Sequence, residues 1–258
     1  MELARGGAVG YPGVKVEGDV ACAPVPVTVT LPADSGLVFG TQALPDHQLT
    51  VMNAGGQTTQ YTGTPSQDGT SLTFSDVDLG LPGTTTMWVG VSATHEAPLG
   101  STNLTFTVGG QTSDSTPVVV EPGFTVSPGG NPVTALRGGP PIYPGVEVRN
   151  NHSGSIPLQT VTATLPDGLG MRFGVPGSPD HQLTVMRADG HTTAYVGSLS
   201  GDGQTLTFTD IDLEIPADGS LSAMWVCVSA APDTPPGPTS VQFTVGDLVS
   251  PSTAIEVV

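Results

Sequence analysis

Asp202–Leu213 reads DGQTLTFTDIDL, and Asp68–Leu79 answers it with DGTSLTFSDVDL. Each opens on Asp-Gly, a pair that accepts the positive φ of a tight turn. In the second copy Leu206 and Phe208 then alternate with threonines, the period-two signature of a strand with one buried face. The alternation slips between Phe208 and Ile211, where the spacing is three. A β-bulge or corner at Thr209-Asp210 returns Ile211 and Leu213 to the core side. Phe74 and Val77 show the same slip in the first copy, so the irregularity is designed in.

The pattern extends upstream. In VMRADGHTTAYVG, Asp189-Gly190 separates two alternating runs, a hairpin signal, and Gly55-Gly56 holds that place in the first copy. PDHQLTVM occurs at Pro45–Met52 and again at Pro179–Met186. RGGAVGYPGVKV (Arg5–Val16) matches RGGPPIYPGVEV (Arg137–Val148), and MWVGVSA (Met87–Ala93) matches MWVCVSA (Met224–Ala230). The chain is therefore a tandem repeat, expected as residues 1–122 and 123–258, joined by a short Pro/Gly-containing linker near Glu121–Gly123. Short strands with turns between them predict an all-β chain of two antiparallel β-sandwiches, and no segment carries a helical period. Phe124–Val126 forms a short apolar strand ahead of the second copy, with little equivalent before Arg5. The first copy is thus expected to lack a first strand. A longer array explains this; an open sheet edge that accepts a strand from a partner is the rival explanation.

VRNNHSGSIPLQTVTATLPDGLGMRFG resembles bacterial cell-surface repeats in which an Asn-rich turn precedes a TLPxGL strand end. IPADGSLSAMWVCVSAAPDTPPGPTSVQFTVG is similar to the second half of such repeats and to the immunoglobulin-like accessory modules beside glycoside hydrolases. The resemblance implies two tandem immunoglobulin-like sandwiches in a secreted or surface protein, serving as spacer, adhesive or accessory module. Neither copy has the intradomain cysteine pair of antibody domains.

Composition narrows the partners. Only six residues are Lys or Arg, and the net charge is -17. Such a surface repels phosphate backbones and anionic lipid, which argues against nucleic acid and polybasic membrane docking. The opening MELARGG has no apolar signal-peptide region, and no run is long enough to span a bilayer. Cys22 and Cys227 occupy non-equivalent positions, so two free thiols are expected.

Several residues are candidates for chemistry. Asp46-His47 and Asp180-His181 recur, but no nucleophile elbow accompanies them, and Asp after Pro suits a turn. His95 belongs to HEAPL, which is not the HExxH of zinc proteases. Asp76/Asp78 and Asp210/Asp212 lie two apart and would share a face in a regular strand. They offer part of the six to eight oxygens that calcium takes, the one cofactor the sequence suggests. Alternatively they are solvent-facing residues of the bulge. In MWVGVSA the apolar phase is Met87, Val89, Val91 and Ala93, so Trp88 points outward beside Gly90, and Trp225 does the same in the second copy. An outward indole suits stacking on a sugar ring or contact with another module. Tyr61 and Tyr195, in equivalent hairpin strands, are expected to extend that surface. The second copy has no lysine and the first only Lys15, which leaves the second without a Lys–Asn isopeptide cross-link. Asn103–Thr105 and Asn151–Ser153 match the glycosylation sequon.

The expected function is a non-enzymatic structural or adhesive module at the cell surface or outside the cell. Its partners would be other protein modules or copies of itself. A carbohydrate-binding accessory module is the alternative, and a subunit completed by strand donation is a third.

Overall fold

The computed structural model describes residues 1–130, 132–152, 156–175, 177–178, 180–213, 215 and 221–258. The chain divides into two compact units, Met1–Gly123 and Phe124–Val258. Each is an all-β sandwich with a core between its two main sheets. In the first unit one sheet runs, edge to edge, through Glu2–Ala4, Thr116–Glu121, Gly100–Val108, Val25–Thr30, Ser71–Val77 and Thr64–Pro65. The second sheet runs through Gly13–Gly18, Gly83–Val89, Gln48–Met52 and Thr58–Thr62. Pairing is antiparallel throughout both sheets except at one edge, where Glu2–Ala4 lies parallel to Thr116–Glu121.

The second unit repeats this plan. Val133–Ala135, the counterpart of Glu2–Ala4, pairs parallel with Thr253–Val257. The few residues ahead of Arg5 are therefore a strand, too short for alternation to reveal. Phe124–Pro128 lies outside Gly145–Asn150 and makes the second sheet five-stranded, Phe124–Pro128, Gly145–Asn150, Leu221–Val226, Gln182–Met186, Thr192–Val196. In the first unit the corresponding strand, Gly13–Gly18, is the outermost.

Period two explains the cores. Val27 and Val29 are fully buried while Thr28 between them is half-buried, and Leu206 and Phe208 are fully buried in the second unit. Each unit has its own apolar cluster, centred on Phe74 and Phe106 in one and on Phe208 and Phe243 in the other. The predicted bulges are present. Val161 pairs with Phe208 but Gln159 with Ile211, so Thr209-Asp210 stand opposite the single residue Thr160. Val27 pairs with Phe74 and Val25 with Val77, which places the same bulge at Ser75-Asp76. Asp76 and Asp210 adopt φ of 53° and 55° within the bulges, a left-handed conformation that Asp tolerates better than most residues. Because of the bulge Val77 and Ile211 point inward and are buried.

Candidate functional site

The repeated tryptophans mark the outer face of the second sheet. Met87 and Val89 are buried, and Trp88 between them is half-exposed on the opposite face. Its row across the sheet is Gly13, Trp88, Thr50, Gln60. The second unit repeats the row as Gly145, Trp225, Thr184, Ala194. Glycine beside the indole follows from close approach of the strands. A Cβ at Gly13 would sit 2.3 Å from the Met87 carbonyl oxygen and 2.9 Å from the Trp88 Cβ, and at Gly145 the equivalents are 2.2 and 2.9 Å. Both units thus place a glycine directly opposite the tryptophan on the neighbouring strand.

At one end of this face stands a tyrosine that periodicity does not single out. Tyr11 is 61% exposed and Tyr143 57%, each just ahead of the Pro-Gly that opens the neighbouring strand. The available signal is the repeated YPG of the two aligned segments. Around Gly90 the space is bounded by Val9, Tyr11 and Asp46, the last with a carboxylate oxygen 3.2 Å from where a Cβ would stand. Cys227 fills that position in the second unit, buried against Tyr143 and Asp180. Burial pushes the Cys227 thiol up, and the nearby Asp180 carboxylate adds to the shift. Cys227 in turn, with burial behind it, raises the Tyr143 phenol. Both groups are therefore neutral near pH 7, and Cys227 is a poor nucleophile there. Cys22 is exposed, and both thiols are free.

At the other end of the second unit's face, Glu147, Arg149, Met186, Arg187 and Leu221 bound an open hollow of about 480 Å³. The face as a whole combines an indole, a phenol and both signs of charge.

Tyr61 and Tyr195 do not join it. Tyr61 pairs with Leu49 and Tyr195 with Leu183, whereas the tryptophans pair with Thr50 and Thr184. One residue of offset turns the tyrosines inward, where their rings pack on the cores. The Tyr61 hydroxyl accepts from the Asp78 N–H at 3.1 Å, and the Tyr195 hydroxyl donates to the Asp212 carbonyl at 3.2 Å. They are clamps between the hairpin and the strand that follows the bulge.

The paired aspartates sit at that clamp. Asp76 and Asp210 are exposed at the bulges, Asp78 and Asp212 are exposed two residues on, and Val77 and Ile211 between them are buried. Asp78 Oδ1 accepts from the Gly80 N–H at 2.8 Å, a local turn contact. Among the described residues no three His, Cys, Asp or Glu side chains gather as metal ligands. Asp46 and Asp180 each accept from the N–H two residues on, Gln48 and Gln182, at 3.0 Å, the turn role anticipated for PDHQLTVM. The second sequon ends at Ser153, outside the described residues.

Comparison with protein-family models and with curated proteins finds no match. Among solved structures, the C-terminal domain of the Streptococcus agalactiae antigen I/II polypeptide BspA aligns at 11% identity and a TM-score of 0.37, covering 99% of this chain and 94% of that one. The corresponding domain of the Streptococcus pyogenes protein AspA gives 11%, 0.35, 99% and 94%. A type I cohesin of Pseudobacteroides cellulosolvens gives 13% and 0.34, over 52% of this chain and 92% of that one. Among the described residues no helix is long and apolar enough to cross a membrane.

Proposed function

We propose that the chain is a non-enzymatic structural or adhesive module of a bacterial surface or secreted protein, displaying the same aromatic sheet face twice. The observation that supports this reading is the repeated row of Gly13, Trp88, Thr50 and Gly145, Trp225, Thr184, each with an exposed tyrosine at its end. Two weak contacts on one chain raise the effective concentration at the second once the first is made. The acidic balance of -17 favours partners that are neutral or basic at the contact. Antibody raised against the chain should label intact cells of the organism that makes it; labelling only after permeabilisation would overturn the assignment.

The half-exposed indole flanked by glycine favours a more specific version, in which each face stacks on a sugar ring. A glycan array probed with the wild-type chain and with Trp88→Ala/Trp225→Ala separates the two. A signal lost in the double variant identifies carbohydrate as the ligand. Silence from both, alongside cell-surface labelling, leaves protein adhesion.

A further inference from the structure

Both units place a carboxylate at the aromatic end of the outer sheet face, and the two arrangements differ. In the first unit Trp88 and Gly90 share that face, because Met87, Val89 and Val91 alternate with them and are buried. They lie two residues, about 7 Å, apart along the strand. Tyr11 and Asp46 converge over Gly90, where a Cβ would lie 3.6 Å from the Tyr11 ring and 3.2 Å from Asp46 Oδ2. Asp46 Oδ1 accepts from the Gln48 N–H at 3.0 Å, which fixes the carboxylate and leaves Oδ2 on the side of the phenol.

The charge around this corner is negative. Residues 1–123 hold eleven Asp or Glu against two cations, Arg5 and Lys15. Arg5 Nε donates to the Ala97 carbonyl, and Lys15 pairs with Thr86, one row beyond Trp88 and away from Asp46. The second unit has the counterparts Trp225, Tyr143 and Asp180, but there Cys227 packs against the phenol and the carboxylate. Two residues after Cys227, Ser229 pairs with Arg172, where the first unit pairs Ser92 with Val38. The second corner is thus filled by a thiol and has a cation of its own nearby.

We propose that the first unit binds an arginine side chain of a basic protein partner at this corner. The guanidinium sits between the Tyr11 ring and Asp46 Oδ2, and its stem lies on Trp88. Aromatic faces attract a cation, and the apolar stem of arginine covers an indole while its head stays on the carboxylate. Arginine suits the corner better than lysine, because its planar fork stacks on a ring and bonds a carboxylate at once. A neutral sugar can also reach Asp46, but it gains nothing from the negative field of the unit, whereas a basic partner is drawn in by it. The inference rests on the adhesive reading, since it names the group that the same face would hold.

The test uses the full chain and a fluorescein-labelled Gly/Ser peptide carrying a pair of arginines. Anisotropy should show saturable binding, weakened about tenfold or more when citrulline, of the same shape without the charge, replaces arginine. Asp46→Asn keeps the acceptor that the turn uses and should weaken binding about five- to tenfold. Asp180→Asn makes the same change of charge at the equivalent place and should alter it less than about twofold, because Cys227 already occupies that corner. Trp88→Ala should weaken binding about threefold or more, and Trp225→Ala should leave it unchanged. Should Asp46→Asn unfold, the citrulline peptide on the wild-type chain still decides. Absence of saturation, equal binding of the citrulline peptide, or equal losses from Asp46→Asn and Asp180→Asn would each overturn the proposal, the last by showing attraction to diffuse charge. None of these results touches the adhesive reading, which stands or falls on labelling of intact cells.

Discussion

The first and second units have the same bulge, the same Asp-Gly turns and the same tyrosine clamp, yet Val14 and Val16 are half-buried where Val146 and Val148 are sealed. The residues facing the core hardly differ at this place. Burial here is set by the covering strand Phe124–Pro128, so equal sequence does not guarantee equal protection from water. A second difference lies at the strand corner, where Gly90 is packed closely against Val9, Tyr11 and Asp46 and the second unit carries Cys227.

The comparison breaks most severely at the core. Phe74 and Phe208 are 1% and 0% exposed, and truncating either to alanine should cost about 3–5 kcal/mol. Phe74→Ala should lower only the first unit's unfolding transition and Phe208→Ala only the second's, read by denaturant titration with hydrogen exchange assigning each transition. A single merged transition that shifts equally in both variants would contradict independent cores.

Phe124→Ala sharpens the contrast. It should destabilise the second unit by about 2–4 kcal/mol, somewhat less than a central phenylalanine because Phe124 is at an edge and 8% exposed. Exchange at Gly145–Asn150 should then rise toward the rate at Gly13–Gly18. Unchanged exchange there would show that the strand, and not its aromatic anchor, protects the edge.

The smallest effect is in the turns. Asp68 accepts from the Ser66 and Thr70 hydroxyls at 2.6 and 2.9 Å and from the Thr70 N–H at 3.1 Å. These bonds, with Ser66 the strongest, lower its carboxyl to about 2, and the equivalent set at Asp202, led by Ser200, lowers that carboxyl too. A carboxyl depressed by folding supports the fold above its unfolded pKa, about 3.9, and that support is lost as pH falls toward the folded value. Side-chain NMR titration should place Asp68 near 2, and Asp68→Asn should flatten the first unit's stability profile between about pH 4 and 2. An ordinary titration near 4 would mean that the turn is not held in solution.

Much of this is legible in the residues. Alternation with one repeated slip identifies the strands, the inward positions of Val77 and Ile211 and the bulge itself, because each depends on a few neighbouring residues. The outward tryptophans follow from the same phase. Tyr61 and Tyr195 defeat that reading because their facing is set by register against Leu49 and Leu183, a pairing between strands that alternation within TTQYT or TTAYV cannot reveal. Glu2–Ala4 escapes it for a related reason: it is a strand through its partner Thr116–Glu121, not through its own pattern.

The parallel edge pairs have a mechanical consequence. In each unit the first strand of one sheet lies parallel to the unit's last strand, Glu2–Ala4 with Thr116–Glu121 and Val133–Ala135 with Thr253–Val257. Tension applied through the chain on either side of a unit pulls two parallel neighbours in opposite directions along their own axes. Their hydrogen bonds are loaded together in shear and must yield as a group, where a hairpin pulled from its open end would unzip bond by bond. A domain closed in this way resists drag at its ends more than its overall stability alone would suggest.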